Sequence, residues 1–365
     1  MPENPIVKCL VWDLDNTLWR GTLLEDDEVV LTEPIRDLIK TFDSRGILQS
    51  ICSKNDHDQA MAKLAELGVA EYFVLPHISW EPKSGGVKAI ADALNFAYGA
   101  MAFVDDQPAE RAEVEYHLPL VRCYPSEDLV SLADRPEFSP ATVTSDARRR
   151  REMYRAGFLR KTAQQDFTGS DQDFLRSLDL EIVLGRAGED ELSRVEELTL
   201  RTSQMNATGV HYSDAALRGL LDDPCHEVLV TTMTDRFGPL GAVGVVLLAK
   251  QPQVWHLKLL ATSCRVVSFG AGTVIMNWLV DQAAKADAHI VADFRPTDRN
   301  RIMEIAYRLA GFTDEPCPCA TALAPVDGVV GLQRLHLVPA RQQPPTALRL
   351  VAPELGDGPA LDRCS

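Results

Sequence analysis

The first third of the chain alternates short apolar runs with helical patterns, and the runs end in carboxylates or hydroxyls. "IVKCLVWDL" leads into Asp13 and Asp15, "ILQSICSKND" carries Ser53, and "AMAFVDDQP" ends in Asp105 and Asp106. Continuous apolar runs of this length read as strands buried on both faces. Between them, "TEPIRDLIKTFDSRG", "DHDQAMAKLAELGV" and "KSGGVKAIADALN" read as helices, the first with Thr32 as N-cap and Gly46 as its stop. "YFVLPHI" is read as a further strand. Strand–helix alternation implies right-handed crossovers and a parallel sheet, with ligands at the carboxyl ends of the strands.

That topology gathers the chemistry-bearing residues at one edge. Asp13, Asp15, Ser53, Lys83, Asp105 and Asp106 all fall at strand ends or at a helix start. Carboxylates so placed repel unless a hard cation lies among them, and Mg²⁺ takes oxygen ligands together with phosphate. Lys83 and the Ser53 hydroxyl can hold phosphoryl oxygens. One aspartate can act as nucleophile and the other as general acid and base. Any one of these residues alone reads better as a helix cap; the set does not.

The pattern changes near residue 135. "ADRPEFSPATVTSD" reads as a linker and "ARRRREMYRAGFLRKTAQQDF" as a charged helix, whose Arg148–Arg151 run decorates its surface. A second α/β domain is expected over 176–320. In it, "ELSRVEELTLRTSQMNATG" is a helix entering a polar loop, and "HEVLVTTMTDRFGPLGAVGVVLLAK" is a hairpin turning at "DRFGPLG". "LLATSCRVVSFGAGTVIMNWL" is a strand, a glycine-containing loop and a helix. Gly270 and Gly272 there can turn backbone amides toward an anion at the helix N-terminus. Residues 321–365 are Pro-rich and aperiodic and are expected to form a disordered tail.

The net charge of −16 argues against a nucleic-acid binder. No apolar stretch is long enough to span a bilayer, and "MPENPIVK" is not a signal peptide. The expected setting is the cytoplasm, with reduced thiols. Cys9, Cys123 and Cys225 are read as structural, and the "CPC" of Cys317 and Cys319 as too close and too isolated for a zinc site.

"DLDNTLW", Ser53, Lys83 and "VDDQP" resemble, in order, the four motifs of the haloacid dehalogenase (HAD) superfamily of phosphatases. The resemblance implies Asp13 as nucleophile and Asp15 as general acid/base. It makes Ser53 and Lys83 phosphate holders, and Asp13, Asp105 and the backbone carbonyl of Asp15 ligands for Mg²⁺. One helix and one strand use up most of the interval from Asp15 to Ser53, and the interval to Lys83 is shorter. Neither leaves room for a large cap, so an open site is expected. The second half resembles a GNAT-type acyltransferase domain, whose glycine loop holds coenzyme A or a phosphopantetheine arm. The expected fold class is therefore α/β: an HAD-like Rossmannoid parallel sheet (1–135), a helical linker (136–175) and a GNAT-like domain (176–320).

Taken together, "VWDLDNTLWRG", "ICSKND", "FVDDQPAERAEV", "RRRREMYRA", "TSQMNAT", "DRFGPLGAVGV" and "SCRVVSFGAG" are similar to the FkbH-like family. This implies a bifunctional glyceryl transferase and phosphatase that uses D-1,3-bisphosphoglycerate. An enzyme cysteine takes the phosphoglyceryl group, the phosphate is removed, and glyceryl passes to the phosphopantetheine thiol of an acyl carrier protein in polyketide biosynthesis. The glycine loop "SCRVVSFGAG" resembles members that feed methoxymalonyl-carrier-protein synthesis more than the many relatives that read "SCRVLGRG", which implies an antibiotic-type extender route. Asn55 and Arg265 join Ser53, Lys83, Gly270 and Gly272 as substrate-binding candidates.

Two thiols compete for the acyl group. Cys52 adjoins Ser53, and proximity favours it, although strand alternation could turn it inward. Cys264 precedes the glycine loop. Cys52 is preferred and Cys264 kept beside it, with His211 and His256 as candidate bases. The alternative is a Mg²⁺-dependent HAD phosphatase fused to an acyl-CoA-dependent N-acyltransferase.

Overall fold

Strand β1 (Cys9–Trp12) is buried along its whole length, as the central strand of a sheet covered on both faces must be. The computed structural model describes residues 5–26, 28–140, 142–201, 205–319, 323, 331–345 and 348–356. They fall into two compact units, Met1–Arg155 and Ala156–Ser365.

In the first unit β1 is followed by α1 (Glu33–Ser44), β2 (Leu48–Ser53), α2 (His57–Glu66), β3 (His77–Ile78), α3 (Lys83–Leu94), β4 (Met101–Asp105), α4 (Pro108–His117) and β5 (Arg122–Pro125). The strands pair in parallel in the order β3-β2-β1-β4-β5. Each crossover among β2, β3, β4 and β5 is a single helix, and the segment from Asp15 to α1 is a short flap held by an Arg20–Val30 bridge. No large cap interrupts the described residues. Local chemistry sets the helix ends. The Asp56 carboxylate accepts from the Gln59 amide at the start of α2 (2.9 Å), and Asn95 ends α3 in the left-handed conformation. Gly46 ends α1's turn at φ +72°, where a Cβ would lie 2.4 Å from the Ala147 carbonyl oxygen. "YFVLPHI" pairs as a strand only at His77–Ile78, apart from a Gln49–Phe73 bridge, and β5 is an additional, half-buried edge strand.

Next come α5 (Leu129–Leu132), α6 (Ser145–Arg148) and α7 (Arg150–Asp166). The expected linker 136–175 is shared between the two units, because the division falls inside α7. Two arginines of the basic run are anchors. Arg150 donates to the Gly46 carbonyl (2.7 Å), and Arg151 makes a forked pair with Asp43 (2.8 and 3.2 Å) while covering the Tyr72 ring.

The second unit contains α8 (Asp171–Ser177), β6 (Glu181–Arg186), α9 (Leu192–Arg201), α10 (Asp214–Leu221), β7 (His226–Asp235), β8 (Gly238–Lys250), β9 (Val254–Thr262), α11 (Ala271–Lys285), β10 (His289–Phe294), α12 (Arg301–Leu309), β11 (Gln333–Leu337) and β12 (Arg349–Val351). Its mixed sheet runs β11-β10-β9-β8-β7-β6-β12. The β7–β8 hairpin turns at Arg236-Phe237, tighter than "DRFGPLG", because Asp235 pairs directly with Gly238. The expectation of a disordered tail is corrected: β11 and β12 both come from it, pairing with β10 and β6. Their alternation is too short to be read from sequence. Residues 321–322, 324–330, 346–347 and 357–365 of that stretch, residue 320 before it, and Thr202-Ser203-Gln204 of "TSQMNAT", lie outside the described residues. Among the described residues no helix is long and apolar enough to cross a membrane.

Candidate functional site

The parallel order places the ends of β2, β1 and β4 side by side, and their polar residues converge. Lys83, the first residue of α3, donates to Asp13 Oδ1 (2.6 Å) and Asp105 Oδ2 (2.5 Å). All three side chains are nearly or fully buried. Ser53 lies beside Asp13 and favours its ionised form. Burial pushes the Asp13 carboxyl up to about 6; Lys83 opposes that and Asp105 reinforces it. Asp105 is oriented by the Gln107 amide on its Oδ1 (2.8 Å).

Asp106 belongs to this set. Its amide donates to Thr17 Oγ1 (2.9 Å), and its carboxylate joins those of Asp13 and Asp105 within 4.8 Å of one another. Asp106 Oδ1 is buried without a hydrogen-bond partner. An orphaned carboxylate oxygen beside two other carboxylates suits a hard, oxygen-seeking cation such as Mg²⁺. The side chain of Asp15 is not part of that cluster. Its Oδ1 accepts from Trp19 Nε1 (2.8 Å) and the Leu23 amide (3.0 Å), and its Oδ2 from Asn55 Nδ2 (2.9 Å). Asn55, expected to bind substrate, instead orients Asp15.

Asp13, Asp15, Ser53 and Lys83 line a cleft of about 370 Å³ together with the exposed Leu24 and Trp80. Trp80 is 67% exposed. Sequence reasoning gave no role to Trp80 or Thr17, although "W-E-P-K-S" and "DLDNT" contain them; an aromatic just before a phosphate-holding lysine was the available signal.

Cys52 is not in the cleft, which corrects the preference for it. Alternation along β2 turns Ser53 toward the cleft and Cys52 away. The thiol donates to the Lys83 carbonyl (3.5 Å) and packs against α3, where a Cβ on Gly86 would lie 2.6 Å from Sγ. Burial pushes it up to about 12, so it is a poor nucleophile at neutral pH.

Cys264 is exposed. It opens a 3₁₀ turn, Cys264–Phe269, between β9 and α11. Gly270, at φ +71°, closes that turn and its amide donates to the Val267 carbonyl (3.0 Å), so this amide is not turned to an anion as expected. Gly270 and Gly272 do border an apolar cavity of about 270 Å³, with Met205, Leu260, Met276 and Met303. Arg265 is exposed, its Nε bonding Ser263 Oγ (3.3 Å). Beyond the Leu257–Ala292 pair, β9 and β10 no longer pair directly. The 205–207 segment bridges the opening: the Ala207 amide donates to the Leu260 carbonyl (3.2 Å) and the Arg295 amide to the Ala207 carbonyl (3.0 Å). The candidate bases are engaged elsewhere. His211 Nδ1 lies 3.0 Å from Thr199 Oγ1. His256 Nε2 lies 2.8 Å from Asp293 Oδ1, close enough for an ion pair but not aligned as a hydrogen bond.

No family model matches the sequence, and no curated protein matches it. Solved structures do. The N-terminal part of a Bacteroides fragilis protein, containing a phosphatase domain complexed with Mg, is 27% identical over 38% of this chain, with a TM-score of 0.34. The match spans 43% of that N-terminal part. The ribosomal-protein-S18-alanine N-acetyltransferase of Escherichia coli is 13% identical, covering 45% of this chain and 97% of its own, with a TM-score of 0.32. The 3-deoxy-D-manno-octulosonate 8-phosphate phosphatase of Moraxella catarrhalis is 16% identical, covering 30% and 63%, with a TM-score of 0.25.

Proposed function

We propose that the chain is a bifunctional enzyme that forms a glyceryl thioester and removes its phosphate, loading an acyl carrier protein for polyketide extender-unit synthesis. The observation that carries the phosphatase half is the buried Asp13–Lys83–Asp105 group facing an open cleft, with the partnerless oxygen of Asp106 beside it. The transfer half is supported by the exposed Cys264 before the turn that borders an apolar cavity.

The Cys264 thiolate attacks the acyl carbon of D-1,3-bisphosphoglycerate; the acyl–oxygen bond breaks and phosphate leaves. Asp13 then attacks the remaining phosphorus. The ester P–O bond breaks, and the departing glyceryl oxygen takes the proton of protonated Asp15. Water, losing a proton to Asp15, hydrolyses the aspartyl-phosphate. Lys83 and Ser53 hold the phosphoryl oxygens throughout. Mg²⁺ held by Asp13, Asp105 and Asp106 would neutralise charge on the phosphate. Finally the phosphopantetheine thiolate attacks the thioester carbonyl, and Cys264 leaves as thiolate. The open cleft, with the exposed Trp80 in its lining, suits a phosphate presented on a tether.

Intact-mass analysis after incubation with 1,3-bisphosphoglycerate should show a covalent adduct that maps to the Cys264 peptide. No adduct alongside normal phosphate release from small esters would sink the transferase half. The apolar cavity at the start of α11 equally suits an acyl-CoA-dependent N-acyltransferase. Thermal stabilisation by acetyl-CoA, with none by a carrier protein, would favour that reading.

A further inference from the structure

A second cluster of metal-ligating side chains lies in the Ala156–Ser365 unit, and nothing in the proposed reaction uses it. Cys317, Cys319, His289 and His336 bring one ligand atom each within 4.8 Å of one another. His289 opens β10, and His336 lies in β11, the strand at one edge of the sheet. The two strands pair antiparallel, so their rings approach from one face, 5.0 Å apart. The thiols come from the segment after α12. That segment is fixed against β11 by a reciprocal bridge: the Thr313 amide donates to the His336 carbonyl (2.9 Å) and the His336 amide to the Thr313 carbonyl (2.8 Å). Pro316 and Pro318 flank Cys317 and restrict the chain that carries both thiols.

We propose that these four residues form a closed zinc site. Zn–S and Zn–N bonds of about 2.3 and 2.0 Å in a tetrahedron put neighbouring ligand atoms roughly 3.3–3.8 Å apart. Cys317 Sγ lies 3.5 Å from His289 Nδ1, and His336 Nε2 lies 3.0 Å from the same nitrogen. The two sulfurs are 3.0 Å apart, well beyond the roughly 2.05 Å of a disulfide; like the two imidazole nitrogens they lie closer than the tetrahedral spacing, so a bound ion would spread both pairs. Two thiolates and two neutral imidazoles suit a borderline-soft divalent ion, and two negative charges balance it. Four protein ligands leave no open position, so the role is structural: the ion ties β10, the edge strand β11 and the segment after α12 together.

The reading of "CPC" as too isolated for a zinc site does not hold in the fold, which brings His289 and His336 to it. Its partners lie on two strands, the second within the stretch expected to be a tail, so local spacing could not reveal them.

The test uses the full chain expressed in zinc-supplemented medium and purified under mild reduction. One zinc per chain is expected by elemental analysis. Exchange for cobalt(II) should give the visible and near-ultraviolet bands of tetrahedral thiolate ligation. Cys317 and Cys319 should resist alkylation until a chelator is added, while Cys264 reacts in both states. The double variant Cys317→Ser, Cys319→Ser should lose the ion. Zinc retained by that variant, a cobalt spectrum without thiolate bands, or alkylation of both cysteines in the untreated protein would each overturn the proposal. So would a Cys317–Cys319 disulfide in freshly purified protein. The spectrum and the alkylation pattern are read on the wild-type chain, so they hold even if the double variant does not fold.

Discussion

Both units bury a lysine against carboxylates, and the two lysines mean different things. Lys250, in β8, donates to Glu227 Oε1 (2.8 Å) and to the Leu355 carbonyl (3.1 Å). Arg186 closes the other side with a fork onto Glu227 (2.7 and 3.1 Å). Lys83 also sits between carboxylates, but it faces a cleft, and next to it Asp106 keeps an oxygen without a donor. A buried charge that is fully paired stiffens a fold. One arranged around an unsatisfied oxygen is built for something that arrives later.

The largest expected effect separates the chemistry of the two units. Asp13→Asn removes the proposed nucleophile and should lower hydrolysis of the phosphate ester by about 10⁴-fold or more. It should leave thioester formation at Cys264 intact, so a phosphoglyceryl adduct should accumulate and be visible by intact mass. If the variant instead lost adduct formation as well, the division of labour between Asp13 and Cys264 would be broken.

The next effect tests the two lysine clusters directly. Lys83→Met leaves Asp13 and Asp105 buried without their counter-charge, and Glu227→Gln leaves Lys250 without its carboxylate. Breaking a buried pair costs about 3–5 kcal/mol, and both variants should show it as a lower urea midpoint in chelator. Mg²⁺ should recover part of the loss in Lys83→Met and none in Glu227→Gln. Equal recovery, or none in either, would erase the distinction. Acid adds a second axis. Burial pushes Glu227 up, but hydrogen bonds from Arg186 and Lys250 outweigh it and hold the group below the ordinary glutamate range. A depressed carboxyl contributes stability that is present above its unfolded pKa and lost as pH falls through its folded value. The gap between wild type and Glu227→Gln should therefore narrow below about pH 4.5.

What was legible in the sequence follows from how each feature is encoded. Asp13, Ser53, Lys83 and Asp105 were found because a parallel sheet maps four separate strand or helix ends onto one edge, and each end is marked by a polar residue after an apolar run. Asp106 was only half visible, since two adjacent aspartates leave it open which one turns inward. The direction of Cys52 was a question of one residue's parity on β2, which sequence spacing raises but does not answer. Strands β11 and β12 escaped because short edge strands carry little alternation, and with them went His336 as a partner for Cys317 and Cys319. The bridge across the β9–β10 opening by the 205–207 segment is a long-range pairing with no local signature.

The smallest effect concerns Cys52, and its size is the point. Its thiol donates to the Lys83 carbonyl and fills space against Gly86. Cys52→Ala removes one buried sulfur and should cost roughly 1 kcal/mol of stability through the void it leaves. Because the side chain points away from the cleft, phosphate release should change by less than about twofold, and the adduct on Cys264 should form at its normal rate. Cys52→Val, which adds bulk where the Gly86 backbone already approaches closely, should be the worse replacement, since an overfilled core costs roughly 1–3 kcal/mol. If Cys52→Ala abolished the covalent adduct while the fold stayed intact, the acyl group would belong to the first unit, and the contrast between a buried Cys52 and an exposed Cys264 would fail.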